Sequence, residues 1–141
     1  MKGDYILISG LSHITLIVND LKRTTIFLEK IFEAREVYSS GDDIFSYSKE
    51  KFFLINGLWI CIMEGKPLVG RTYNHIAFKI PDSCFDEYLI RIMDAGADII
   101  PERSRVVGEG RSIYFYDYDN HLFELHTGTL EERLERYSKG K

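Results

Sequence analysis

Several things are missing from this 141-residue chain, and each absence excludes a class of protein. No apolar run approaches the roughly 20 residues that a membrane-spanning helix needs. The opening MKGDYILISG has neither a long apolar core nor a small-residue cleavage site, so no signal peptide is expected and the location is read as cytoplasmic. There is no surplus of positive charge. Lys and Arg number 18 against 22 Asp and Glu, a net charge of -4, which argues against nucleic acid or an anionic membrane as the main partner. Cysteine is scarce. Cys61 and Cys84 stand far apart among apolar neighbours with no CxxC spacing, so a zinc cluster or redox pair is not expected and two reduced, buried thiols are. No stretch is rich in Pro, Gly or Ser, so nothing marks a linker. The length suits one ordinary domain, and 45 % hydrophobic with 28 % charged residues suits a soluble globular one.

What is present is a repeat. His13-Ile-Thr-Leu-Ile-Val-Asn-Asp20 is matched by His75-Ile-Ala-Phe-Lys-Ile-Pro-Asp82, shifted by 62 positions (75 − 13). Each segment predicts a strand that opens on His and closes on Asp. Helices follow over Leu21 to Ile31 and Phe85 to Ala95, where apolar residues recur at spacings of three and four, with Asp20 and Asp82 as N-caps. Strands are then predicted over Ala34–Tyr38, Phe45–Ser48, Lys51–Ile55 and Leu58–Met63, with Asn56-Gly57 as a hairpin turn. The second half predicts strands over Ala97–Ile100, Ser112–Tyr116 and His121–His126. Thr129 and Glu132 form a capping box for a last helix over Leu130–Tyr137. The fold class is therefore α+β: two βαβββ modules, about 8–66 and 70–128, and a C-terminal helix at about 129–138, fused into one domain. Each module leaves a concave sheet face that it cannot bury alone. Pairing two modules, within one chain or between two, would make a cup.

His13 and His75 hold matching places in the repeat. Glu124 stands among apolar residues in Leu122-Phe-Glu-Leu-His126, an awkward place for a carboxylate unless a cation pairs with it. Two His and one carboxylate leave open positions on a divalent metal, as a catalytic site requires. The formal repeat partner of Glu124 is Ile62 (124 − 62), so the expected fourth ligand is missing. His126 shares the strand face of Glu124, as a further ligand or, preferably, as its support. His121 falls in a turn and is read as a cap or a surface residue.

These features resemble the vicinal oxygen chelate superfamily of the glyoxalase and bleomycin-resistance type. Nearly the whole chain resembles FosX-type fosfomycin hydrolases, through Gly10-Leu-Ser-His-Ile-Thr-Leu-Ile-Val18, Ser48-Lys-Glu-Lys-Phe-Phe-Leu-Ile55, Tyr73-Asn-His-Ile-Ala-Phe78, Gly108-Glu-Gly-Arg-Ser-Ile-Tyr-Phe-Tyr-Asp117 and Asp119-Asn-His-Leu-Phe-Glu-Leu-His126. The resemblance implies an Mn2+-dependent epoxide hydrolase that adds water to fosfomycin, a small phosphonate. It also implies a homodimer with modules exchanged between chains. By the same likeness His13, His75 and Glu124 hold the metal, Glu50 is the general base, and Thr15 sits beside the epoxide. Ser112, Tyr114 and Arg133 match phosphonate-side positions. Arg103 and Arg105 match only loosely, and Trp59 and Tyr73 are placed along the pocket. Arg111 stands where thiol-transferring relatives have a potassium loop, so a direct charge from Arg111 is expected instead of potassium.

Read without the family, Glu50 in Lys49-Glu50-Lys51 would be a solvated charge cluster, Arg133 a helix-surface ion-pair former, and Thr15, Ser112, Tyr114, Trp59 and Tyr73 ordinary strand or core residues. Three other functions compete. One is thiol transfer to fosfomycin from glutathione or bacillithiol, for which a carboxylate at Glu50 is not expected. Another is ring-cleaving dioxygenase chemistry on Fe(II). The third is non-enzymatic drug binding, which needs no ligand triad.

Overall fold

The computed structural model describes residues 7–101 and 108–140. The first module runs β1 (His13–Val18), α1 (Leu21–Phe32), β2 (Arg35–Ser39), β3 (Glu50–Ile55) and β4 (Leu58–Glu64). The second runs β5 (His75–Lys79), α2 (Phe85–Asp94), β6 (Asp98–Ile100), β7 (Ser112–Tyr116) and β8 (Leu122–His126), and α3 (Leu130–Ser138) closes the chain. Each module forms a four-stranded mixed sheet, ordered β1-β4-β3-β2 and β5-β8-β7-β6. In each, the His-bearing strand lies parallel to the last strand and the remaining pairs are antiparallel.

Local chemistry sets the boundaries. Asp20 caps α1 by accepting from the Arg23 backbone N–H at 3.1 Å. Asn56 and Gly57 take φ of 45° and 84°, the left-handed pair that a two-residue hairpin between β3 and β4 requires. The capping box of α3 is formed, with Thr129 and Glu132 bonding reciprocally. Two expectations are corrected. Asp82 does not cap α2: Pro81, with φ fixed at -64°, starts a 3-10 turn over Asp82–Cys84, and α2 begins after it. Phe45–Ser48 is a series of bends, and β3 begins at Glu50. Exposed Phe45 and Tyr47 show that the apolar residues there do not line a sheet face of this chain.

Strand alternation gives each sheet a back and a front. The back faces carry Leu16, Val18, Phe53, Ile60 and Ile62 in the first module and Phe78, Ile113, Phe115, Phe123 and Leu125 in the second. All of them join one core with Phe27, Leu28, Ile31 and Phe32 of α1 and Phe85 and Ile92 of α2. Helix α1 bridges the modules: Phe27 lies 6.1 Å from Phe115 and 6.2 Å from Phe123, and Phe32 lies 4.8 Å from Phe78. The polar ties agree, since the Asn19 N–H donates to Asp119 at 2.9 Å and Arg91 pairs with Glu33 at 2.7 Å. Phe27 is the centre of this ring cluster. Phe27→Ala is expected to cost about 3–5 kcal/mol, read as a lowered denaturant midpoint, because few neighbours can collapse into the space.

With the helices holding both back faces, the two front faces turn away from the shared core. Candidate catalytic residues lie on these front faces.

Candidate active site

The front of the first sheet carries His13 and Thr15 on β1, Trp59 and Cys61 on β4, and Glu50 and Phe52 on β3. The register places His13 opposite Trp59, Thr15 opposite Cys61, and Cys61 opposite Phe52. His13 stacks on the Trp59 indole at 4.1 Å, and its Nδ1 is 2.9 Å from Ser12 Oγ. Glu50 is 7 % exposed. Its backbone is held from both directions by Ser40: the Ser40 N–H donates to the Glu50 carbonyl, and the Glu50 N–H donates to Ser40 Oγ, each at 3.0 Å. Lys51 points to the opposite face and pairs with Glu36, and Lys49 pairs with Asp42. The Lys-Glu-Lys run is therefore no surface cluster. Strand alternation separates its charges, and the carboxylate is drawn in toward Cys61, whose Sγ donates to Glu50 Oε1 at 3.6 Å.

Burial first, and then the Glu50 carboxylate, push the Cys61 thiol up to about 11. A thiol that titrates near 9 when unfolded and near 11 when folded leaves stability unchanged below about pH 9 and lowers it as pH rises toward 11. The loss is on the order of 2 kcal/mol. Urea titrations at pH 8 and pH 11 should show this decrement in the parent chain beyond the decrement in Cys61→Ser, whose hydroxyl does not ionise there.

The front of the second sheet carries His75 on β5, Glu124 and His126 on β8, and Ser112 and Tyr114 on β7. Glu124 is 5 % exposed. His75 Nδ1 lies 2.7 Å from the Tyr73 carbonyl, which can only accept, so Nδ1 holds a proton. In the neutral ring Nε2 then presents a lone pair, and it faces Glu124 Oε1 at 3.0 Å. Two acceptors aimed at each other require a positive charge between them, a proton or a metal ion. The carbonyl-anchored imidazole beside a carboxylate is the arrangement that metal-binding histidines use. The other carboxylate oxygen is held by Ser112 Oγ–H at 2.6 Å. Since that hydrogen is spent on Glu124, His126 Nδ1–H donates to Ser112 Oγ at 2.7 Å, and Arg133 approaches His126 Nε2 at 3.4 Å. His126 thus supports Glu124 through Ser112. Tyr73 donates to Tyr114 at 3.0 Å. Burial first, and the nearby Glu124 charge, keep the Tyr114 phenol above its ordinary range.

Not every expectation survives. The register partner of Ala77 is Glu124 and that of Thr15 is Cys61, so the repeat equivalent of Glu124 is Cys61, not Ile62. The second module has one more residue between its His and its last strand (124 − 75 against 61 − 13), and Ile62 is fully buried on the back face. Arg111 does not reach the front face. Its guanidinium is spent on Asp82, at 2.9 Å to the carboxylate and 3.0 Å to the carbonyl, and lies over the Phe85 ring. Its loop is pressed against the residues that follow β8, where a Cβ on Gly110 would run into the Gly128 backbone. His121 is neither a cap nor a surface residue; its Nδ1 pairs with buried Asp117 at 2.8 Å inside the β7–β8 turn. Arg103 and Arg105 lie outside the described residues.

The structure brings His75, Glu124, Ser112, Tyr114, Tyr73 and Arg133 to one face and His13, Thr15, Glu50 and Trp59 to the other. It does not bring His13 to His75. Among the described residues no three His, Cys, Asp or Glu side chains converge on one point. The buried side-chain polar atom without a partner among the described residues is Trp59 Nε1, on the face of His13. No helix among the described residues is long and apolar enough to cross a membrane. Sequence reasoning passed over Cys61 and Ser40 as site residues. The parallel β1–β4 register that follows from pairing His13 with Trp59 would have found Cys61.

Two modules with this strand order, each opening on a histidine, define a class. The Glyoxalase/Bleomycin resistance protein/Dioxygenase superfamily model matches residues 10–125. Within that class the chain is 74 % identical over 133 residues to the fosfomycin resistance protein FosX of Listeria innocua, covering 94 % of this chain and 100 % of the relative. A FosX crystal structure from Listeria monocytogenes complexed with Mn(II) and sulfate matches with a TM-score of 0.84 at 67 % identity, covering 93 % of this chain and 99 % of that one. A mutant of the same protein with Mn(II) and 1S,2S-dihydroxypropylphosphonic acid matches with a TM-score of 0.85 at 67 % identity, with the same coverage. More distant is the metallothiol transferase FosB of Shouchella clausii, 38 % identical over 94 % of this chain and 90 % of that protein. The chain belongs to the FosX family of fosfomycin resistance proteins.

Proposed function

We propose that this protein opens the epoxide of fosfomycin with water, using Mn2+ held by His75 and Glu124 of one protomer and His13 of a second. The observation that carries this reading is the division of the site. His75 and Glu124 converge on one front face, while His13, Thr15 and buried Glu50 share the other. Because the front faces turn away from the common core, one chain's first face is completed by another chain's second face. A dihydroxypropylphosphonate, the ligand of the related mutant structure, is what remains once water opens an epoxypropylphosphonate.

The donor set suits Mn2+, whose Lewis acidity, when bound, would stabilise the negative charge that develops as the ring opens. The chain's own residues do the rest. Glu50 takes a proton from the attacking water. The new carbon–oxygen bond forms as the ring carbon–oxygen bond breaks, and the ring oxygen ends as a hydroxyl. Thr15 lies beside the reacting centre on the same sheet face. Arg133, Tyr73 and Tyr114 offer the phosphonate donors from the opposite face, and Ser112 and His126 keep Glu124 oriented.

Thiol transfer is the second reading. The observation against it is Glu50, a carboxylate on the Thr15 face where a thiolate would have to approach and be repelled. Incubating protein, Mn2+ and fosfomycin without thiol, followed by phosphorus NMR, tests the proposal. Diol is expected. Turnover only on adding a thiol, with a heavier product, would overturn it.

A further inference from the structure

We propose that Cys61 is a positioning residue for the epoxide-opening step: its thiol, standing between Thr15 and Glu50, donates to the carboxylate and fixes it in the direction from which it takes the water's proton. The inference rests on the reading of Glu50 as general base. Three observations carry it. First, Cys61 is the register neighbour of Thr15 on β4 and the diagonal neighbour of Glu50 on β3, so one thiol stands between the two residues placed at the reacting centre. Second, the sulfur donates to Glu50 Oε1 at 3.6 Å, and Thr15 stands directly opposite it on the paired strand. Third, Cys61 fills in the first module the strand position that Glu124 fills in the second, so this position points to the front in both halves of the repeat.

The chemistry explains why a thiol can stand there. Glu50 is buried, and among the described residues no cation pairs with it: Lys49 and Lys51 are committed elsewhere. Ser40 fixes only its backbone. Without a donor the carboxylate could rotate about its own side-chain torsions, and a base that wanders by an ångström loses rate without losing substrate affinity. A thiol beside an electrophilic epoxide would itself be alkylated if it ionised. Burial and the Glu50 charge oppose that ionisation. The same pair therefore aims the base and keeps the sulfur inert.

The test compares Cys61→Val, which keeps the volume and removes the donor, with Cys61→Ser, which keeps the donor, in the Mn2+-loaded protein. Cys84→Ser, half-buried away from both front faces, serves as control. Cys61→Val is expected to lower kcat about tenfold, the size of a lost hydrogen bond to a charged group, with KM and the Mn2+ concentration for half-maximal activity within about twofold of the parent. Cys61→Ser is expected to retain kcat within about threefold. If Cys61→Val fails to fold, Cys61→Ala against Cys61→Ser reads the same difference. The inference is overturned if the donor-less variant turns over like the parent, if its loss falls on KM, or if the serine variant loses as much. Glu50→Gln separates the two levels. A fully active Glu50→Gln removes the base and with it this role for Cys61. An inactive Glu50→Gln beside an unaffected Cys61→Val removes only the role of Cys61.

Discussion

Glu50→Gln is expected to lower diol formation by about 10²–10⁴-fold, the range that a positioned general base supplies. The amide is nearly isosteric, and the Glu50 backbone is pinned by Ser40 on both sides, so the strand will not shift. Nor does Glu50 reach the second sheet's face, where His75 and Glu124 meet, so Mn2+ binding should persist. What the substitution removes is the carboxylate to which the proposed mechanism gives the water's proton. Phosphorus NMR of the thiol-free reaction gives the rate, and the electron paramagnetic resonance of Mn2+ reports occupancy separately. Equal turnover by the glutamine variant would end the assignment of Glu50. A variant that no longer binds Mn2+ would show that Glu50 belongs to the metal site instead.

The second large effect is a rescue. His13→Ala and Glu124→Ala are each expected to be inactive alone, because every site of either homodimer lacks one ligand. If the ligands of one site come from two chains, a mixed dimer gathers both defects into one site and leaves the other intact. Unfolding and refolding the two variants together at equal concentration should therefore restore about a quarter of the parent activity, since about half of the dimers are mixed and each has one good site. A site built within a single chain gives no rescue at any ratio. The prediction follows from where the faces point: β1 and β5 show their histidines on front faces, and the back faces of both sheets join the one core that α1 and α2 help to fill. A size measurement on the parent chain checks the dimer independently.

Much of this was visible in the bare sequence. His13 and His75, each opening a strand that runs to an Asp, mark the repeat, and the spacing of Leu21, Ile26, Phe27, Leu28 and Ile31 places α1 to within a residue. Elsewhere the sequence misleads, for physical reasons. The run Leu58-Trp-Ile-Cys-Ile-Met63 is apolar on both faces, because Trp59 and Met63 line the front while Ile60 and Ile62 enter the core, so no alternation reveals which way Cys61 points. A single extra residue in the second module moves the true partner of Glu124 from Ile62 to Cys61, and an offset of one reverses the face of a strand. Glu50 between two lysines has the local pattern of a surface residue, and only the long-range pairing of β3 with β4 shows it buried. Without the family resemblance Glu50 would not have been a candidate base. Arg111 was misjudged for the opposite reason. Its position matches a ligand-binding loop, but Asp82, some thirty residues earlier, takes its charge.

Helix α1 has one more consequence. Its Phe27 and Phe32 belong by sequence to the first repeat and by packing to the second. The molecule preserves the symmetry of a duplication in its hydrogen-bonded strands and has given it up in its core. Neither half keeps enough apolar surface to stand once the other is removed. Calorimetry should accordingly show one melting transition whose van't Hoff and calorimetric enthalpies agree, and a chain cut between the repeats should yield two fragments that regain structure only when mixed.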